Sequence, residues 1–288
     1  MYKFNYSPLR YPGGKVKLYE LIKEIIEKNN LRGCIYIEPF AGGAGLALAL
    51  LMNGIVDKVV LNDLDKSIYA FWYSILNLTD DFIEKILKTP LTLEEWIRQR
   101  EVQKNKSQSN LFELGFSTFF LNRTNRSGII NGGPIGGKKQ EGKYKIGDRF
   151  NKKNLIKRIR KIVNYKDKIE IYNLDALEFI DSYKFNTQCF VYFDPPYYNK
   201  GPELYQNSYT HLDHLKLSKK VQKLKNIAWI MTYDNVAAIK EMYSNFHVVD
   251  IELIYTAGKI KAGQEILIYG HNIIPLEPLK NPVFKSAI

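Results

Sequence analysis

Cysteine is nearly absent: Cys34 and Cys189 are the only two in 288 residues. Both sit in apolar, strand-like surroundings, so two small buried thiols are expected rather than a disulfide or a nucleophile. No apolar run is long enough to span a bilayer and no leader pattern opens the chain, so a cytoplasmic protein without a membrane partner is expected. The Gly-x-Gly-x-x-Gly spacing of dinucleotide binders is missing, as is the Gly-Lys-Ser/Thr of a P-loop, which argues against nucleotide-dependent dehydrogenases and P-loop NTPases. The four histidines show no metal-ligand spacing, and no metal is assigned. Acids are the scarcer charge. Thirty Asp and Glu against 42 Lys and Arg leave a net charge of +12, which favours a polyanionic partner. What is present is ordinary core material, 45% hydrophobic, in a length that suits one large α/β domain with an inserted module.

The stretch Cys189-Phe-Val-Tyr-Phe-Asp194-Pro195-Pro196-Tyr197-Tyr198 reads as a fully buried parallel strand that runs into an acid and two prolines. Proline lacks the N–H that a ladder needs, so the strand stops and Asp194 falls at its carboxyl end, where open α/β sheets place their chemistry. An acid followed by a rigid diproline and an aromatic suits the methylation of an exocyclic amine. Such a nitrogen is a poor nucleophile because its lone pair is delocalised into the ring. Asp194 and the Pro195 carbonyl can each accept one N–H, Pro196 fixes their geometry, and Tyr197 can stack on the base. The plainer alternative is a strand followed by a turn.

Two glycine turns precede this stretch. Tyr11-Pro-Gly-Gly-Lys15 leads into a helical pattern from Val16 to about Asn29. Cys34-Ile-Tyr-Ile-Glu38-Pro-Phe40-Ala-Gly42-Gly-Ala-Gly45 reads as strand, glycine loop and helix, which presents amide groups to a ligand. The next strand, Lys58–Asn62, ends in Asp63, about 20 residues past the glycines, where an acid commonly meets ribose hydroxyls. Asp175 follows a later strand and reads equally as a helix cap. From about 79 to 165 the sheet pattern stops. Helices are expected over 93–104 and 111–121, followed by Asn122-Arg123-Thr-Asn125-Arg126-Ser127-Gly-Ile-Ile-Asn131-Gly-Gly-Pro-Ile-Gly-Gly, then Lys138, Lys139 and a strongly basic run to Lys168. Arginine, asparagine and serine on a glycine-rich hairpin suit base edges and phosphates. In the last third, Thr210 with Asp213 reads as a capping box. A buried strand ends at Tyr233-Asp234-Asn235, and two strands follow whose short link makes them antiparallel.

Taken together, Tyr11-Pro-Gly-Gly-Lys15, Glu38-Pro-Phe-Ala-Gly-Gly, Asn62-Asp63 and Asp194-Pro-Pro-Tyr197 resemble, in this order, the motifs of Dam-type DNA adenine-N6 methyltransferases. The resemblance implies a Rossmann-like α/β methyltransferase sheet with an antiparallel last strand. It also implies an inserted, mostly helical and looping target-recognition domain at 79–165, with the catalytic domain at 1–78 and 166–288. It implies S-adenosylmethionine as cosubstrate, held by Tyr11, Lys15, Glu38, Phe40, Gly42, Asp63, Asp175 and Asp194. Catalysis would fall to Asp194, Pro195, Pro196 and Tyr197, and DNA contact to Arg123, Asn125, Arg126, Ser127, Asn131, Lys138 and Lys139. The implied substrate is an adenine flipped out of double-stranded DNA. The implied setting is a nucleoid or a phage, with or without a cognate restriction endonuclease, with the enzyme a monomer or weak dimer. Where GATC-specific members carry a tyrosine and then an arginine, this chain has Arg126 and Asn131, so the recognition sequence stays open. The Pro-Cys nucleophile of cytosine-C5 enzymes is missing. Cytosine N4 is a second acceptor to weigh, disfavoured by Asp before Pro-Pro. A DNA-binding protein with a vestigial cofactor site is a third reading, against which stand Lys15, Asp63 and Asp194.

Overall fold

The computed structural model describes residues 6–11, 14–199, 209–255, 261–276 and 283–284, with backbone alone at 253–255, 261–262 and 283–284. Pro12, Gly13, most of the loop after Asn199, and Lys259 lie outside the described residues, so readings placed on them are not taken further. The chain divides into two units. One comprises residues 1–5, 13–64 and 168–288, and the other 6–12 and 65–167.

The first unit is built on a single sheet. Its strands are β1 (Ile35–Glu38), β2 (Lys58–Asn62), β3 (Ile169–Tyr172), β4 (Cys189–Phe193), β5 (Ala228–Asp234), β6 (His247–Tyr255), β7 (Lys261–Tyr269) and the short β8 (Val283–Phe284). The order is β3-β2-β1-β4-β5-β7-β6-β8. β1 to β5 are mutually parallel, while β7 runs antiparallel between β5 and β6. β4 is buried along its whole length, as its continuous apolar run requires of a central strand covered on both faces. Cys34 and Cys189 are buried and form no disulfide, and burial pushes both thiols up, Cys34 to about 12, which disfavours the thiolate at neutral pH. The helices of this unit are α1 (Tyr19–Lys28), α2 (Gly45–Met52), α8 (Ala176–Ser182), α9 (His211–Val221) and α10 (Ala237–Met242). Thr210 and Asp213 do form the capping box of α9.

The second unit holds α3 (Lys66–Asn77), α4 (Thr79–Lys88), α5 (Leu93–Lys104), α6 (Leu111–Thr124) and α7 (Lys152–Val163). Its core is aromatic: Phe71, Phe82, Phe116, Phe119 and Phe150 meet at ring-centroid distances of 5.1–6.4 Å. Gly115 lets α3 and α6 close up, since a Cβ there would lie 2.3 Å from the Ala70 carbonyl oxygen. This packing explains why the division falls at Leu64/Asp65 and not at residue 78: α3 buries its apolar face on α6. Residues 6–11 also belong here, because Asn122 grips Arg10 by both backbone groups. The Arg10 amide donates to Asn122 Oδ1 at 2.7 Å, and Asn122 Nδ2 donates to the Arg10 carbonyl at 2.9 Å. Among the described residues no helix is long and apolar enough to cross a membrane.

Candidate active site and nucleic-acid interface

Parallel strands bring their carboxyl ends to one edge, and in the first unit that edge collects acids. Glu38 closes β1, Asp63 follows β2, Asp194 follows β4, and Asp234 closes β5 opposite Glu265 of β7. Sequence spacing alone does not reveal that these residues are neighbours, because the strand order, not the chain order, sets it.

Asp194 is the centre. Its Oδ1 accepts from the Lys15 ammonium at 2.7 Å and from the Thr232 hydroxyl at 3.1 Å, and its Oδ2 receives Lys15 at 3.0 Å. The Tyr192 and Thr232 hydroxyls lie 2.8 Å apart. Lys15 is only 6% exposed, donates to the Tyr197 hydroxyl at 2.7 Å, and stands 4.9 Å from that ring's centroid. Glu265 Oε2 is 3.9 Å from Lys15. A lysine of this burial persists as a charged group only with acids beside it, and here Asp194 supplies the direct contact. The chain leaves β4 through Pro195 and Pro196, which have no N–H to offer. The next two amides, of Tyr198 and Asn199, donate to Asp234 Oδ1 and Oδ2, both at 2.9 Å. Asp234 therefore anchors the segment that follows the diproline and does not cap α10, whose N-cap is Val236 without a side-chain cap.

The glycine turn after β1 is strained where a ligand would approach. Gly42 and Ala44 take left-handed φ values of 46° and 45°. The Gly42 amide donates to Asp63 Oδ2 at 2.8 Å, fixing the acid of β2 on the turn of β1. Gly45 lies so close to Val16 that a Cβ would come within 2.6 Å of it. Glu38 is buried, and burial pushes its carboxyl up to about 8, with the charge of Asp194 acting in the same direction. The Phe40 ring packs edge-on against Tyr209, with centroids 6.0 Å apart. Asp175 is a helix cap, accepting the Leu177 amide at 2.8 Å. Tyr11 lies in the 6–12 segment of the other unit.

In the second unit, Arg126, Ser127, Asn131, Lys138 and Lys139 are exposed along the glycine-rich segment. That segment is no regular hairpin. It is a short 3-10 turn at 126–128 followed by a bridge between Asn125 and Pro134. Asn125, expected to face bases, is a correction. It is fully buried and spent inside the unit, its Oδ1 on the Trp96 indole at 2.6 Å and its Nδ2 on the Ile129 and Ile130 carbonyls, both at 2.8 Å. Arg123 is half-buried, with Nε donating to the Arg149 carbonyl at 2.7 Å. Gly128 is required, since its φ is 78° and a Cβ would lie 2.1 Å from the Arg10 carbonyl oxygen. Among the described residues no group of His, Cys, Asp or Glu is arranged to hold a metal ion.

The sheet order, the antiparallel β7 and the acidic carboxyl edge are the Rossmann-like arrangement expected of a methyltransferase. Residues 11–257 match the model of the D12 class of N6 adenine-specific DNA methyltransferases, and the chain belongs to that family. A relative, the type II methyltransferase M.MjaIII of Methanocaldococcus jannaschii, is 28% identical over 268 residues, covering 83% of this chain and 88% of the relative. Among solved structures, the hMettl16 catalytic domain in complex with the MAT2A 3′UTR hairpin 1 aligns with TM-score 0.43 and 11% identity, over 94% of this chain and 76% of that one. TrmK of M. capricolum in complex with S-adenosyl-homocysteine aligns with TM-score 0.38 and 8% identity, over 86% and 68%. The enzyme is an adenine-N6 DNA methyltransferase, its substrate is DNA, and its methyl donor is S-adenosylmethionine. The edge residues fit that donor: a left-handed glycine turn is joined to an acid suited to ribose hydroxyls, and further carboxylates flank it that suit a cationic ligand.

Proposed function

We propose that the Asp194–Lys15–Thr232 cluster is the catalytic centre for transfer to the N6 amine of an adenine flipped out of double-stranded DNA. The observation that carries this is the unequal occupancy of the Asp194 carboxylate. Oδ1 accepts from both Lys15 and Thr232, while among the described residues Oδ2 holds only the longer Lys15 contact and keeps acceptor capacity. Oδ2 then takes one N6 hydrogen and the Pro195 carbonyl takes the other. This localises the nitrogen lone pair and aims it. Tyr197 supplies the stacking face, and Lys15 and Thr232 keep the carboxylate from rotating. The bound donor supplies an electrophilic methyl group on sulfonium. Asp63, Gly42, Glu38 and Phe40 hold it in this reading, and Tyr11 and Asp175 join them as resemblance implies. As N6 gains the methyl group it sheds one proton, for which Asp194 is the first acceptor on the way to water.

Arg126, Ser127, Asn131, Lys138 and Lys139 contact the DNA at one short recognition sequence in this reading, supported by their exposure on a basic, glycine-rich segment. Residues 65–167 act as the target-recognition domain. The enzyme works in the cytoplasm or at the nucleoid, or as a phage product, as a monomer or weak dimer, with or without a cognate endonuclease. The test is to incubate it with radiolabelled S-adenosylmethionine and duplex DNA and to map the modified base. N6-methyladenine confined to one motif is expected, and N4-methylcytosine would overturn the acceptor. Asp194→Ala should abolish transfer while DNA affinity stays within about twofold, because one lost electrostatic contact of this kind costs about 10²–10³ in rate.

A further inference from the structure

Four arginines come from separate stretches of the second unit: Arg10 before the first glycine turn, Arg123 near the end of α6, Arg149 ahead of α7, and Arg158 within α7; Arg123 lies within electrostatic reach of the other three, and Arg10 within reach of Arg149. Each of the three partly buried ones is held by a backbone carbonyl. Arg10 donates to Asn125 at 3.2 Å, Arg123 to Arg149 at 2.7 Å, and Arg158 to Ser7 at 3.1 Å. Among the described residues, Arg10, Arg123 and Arg149 enter no ion pair with a carboxylate. Burial, and then the charges of Arg10, Arg158 and Arg149, push the Arg123 guanidinium down to about 9, so it stays charged at neutral pH among like charges. Burial and Arg149 lower Arg10 as well.

A partly buried guanidinium surrounded by other guanidiniums is costly unless an anion joins it. The fold maintains this arrangement at some expense: the two-point grip of Asn122 on Arg10, and a glycine at 128 that alone fits beneath the Arg10 carbonyl. A phosphate group suits such a cluster, because its oxygens accept forked N–H pairs from several arginines at once.

We propose that Arg10, Arg123, Arg149 and Arg158 form a phosphate site that takes a phosphodiester of the DNA backbone and anchors the duplex independently of sequence. The site rests on DNA being the substrate, and it is separate from the exposed side chains assigned to base reading. Phosphate contacts set register and orientation, so this site fixes where the duplex lies while the glycine-rich segment reads it.

The test uses the full-length enzyme and reads binding alone, so its outcome does not depend on which nitrogen is methylated. Arg10→Gln, Arg149→Gln and Arg158→Gln are titrated by fluorescence anisotropy against a methylatable and a scrambled duplex over a range of salt concentrations. Each should bind both duplexes about tenfold more weakly, and the slope of log K against log salt should shrink by about 1. Affinity for S-adenosylmethionine, measured by calorimetry, should be unchanged. Arg149 is exposed, so Arg149→Gln should fold normally, and Arg149→Lys, which keeps the charge, should preserve most of the salt slope. A folded Arg149→Gln protein with wild-type affinity and slope would overturn the proposal. So would stabilisation of the wild type by inorganic phosphate together with unchanged DNA slopes in all three variants, since the site would then serve free phosphate.

Discussion

Asp234 and Asp194 stand at the ends of adjacent strands yet have different work. Asp194 faces a lysine and a hydroxyl, whereas Asp234, 7% exposed, is spent on two backbone amides. Asp234→Asn replaces one acceptor with an NH2 group that must face an N–H. The segment after Pro196 should loosen, the methyl-transfer rate should fall about tenfold, and cosubstrate affinity should hold. Single-turnover kinetics beside a cosubstrate titration separates the two, and an unchanged rate would show that this segment supports itself. Glu38 gives a second prediction. With its carboxyl near 8, it is mostly protonated at pH 7, and a cationic ligand beside it favours the ionised form. Binding of S-adenosylmethionine should therefore release a large fraction of one proton. Calorimetry in two buffers of different ionisation enthalpy checks this, and identical heats would refute it.

At the level of elements, Lys58–Asn62, Leu93–Lys104 and Cys189–Phe193 follow the residue pattern to the residue. The two strands are continuous apolar runs ended by turn chemistry, and α5 opens on the Thr92 cap although its buried face is mostly polar, with Glu95, Gln99 and Gln103 beside Trp96. α6 is different. Its sequence, Leu-Phe-Glu-Leu-Gly-Phe-Ser-Thr-Phe-Phe-Leu-Asn-Arg-Thr, is buried nearly all round, so no one-sided stripe signals where it packs. Gly115 within it looks like a helix weakener but is a contact point for α3. Gly115→Ala gains about 1 kcal/mol of helix propensity and incurs overpacking of about 1–3 kcal/mol. With backbone carbonyl oxygen only 2.3 Å from the new Cβ, the overpacking should win. A net loss of about 1–2 kcal/mol, seen as a lower urea midpoint with unchanged slope, is expected.

For the whole molecule, two buried groups tilt stability against pH in opposite senses. His214 is 1% exposed, with Nδ1 2.8 Å from the Tyr233 hydroxyl, and burial pulls it down to about 4. The unfolded chain takes up this proton first, near 6.5, so stability falls as pH drops from about 6.5 towards 4, by on the order of 3 kcal/mol. Glu38 acts oppositely. The unfolded chain loses its proton first, so stability falls as pH rises from about 4.5 towards 8. Melting temperature should therefore peak in mildly acidic solution. His214→Gln should flatten the acid limb and leave the other, and a variant that keeps the wild-type acid limb would exclude His214 as its source. With a net charge of +12 and DNA as the substrate, binding should weaken steeply as salt rises.

The sequence by itself determined the buried strands, the glycine turns, the acids that end the strands and the excess of positive charge, because each is a local pattern whose meaning does not depend on distant residues. Tertiary structure alone decided which of these meet. It put Lys15 on Asp194 across 179 positions of chain, gave Asp234 to the Tyr198 and Asn199 amides, buried Asn125 beneath its own loop and brought Arg10, Arg149 and Arg158 within electrostatic reach of Arg123. Those pairings follow from strand order and helix packing, which are properties of the folded core and leave no periodic mark along the chain.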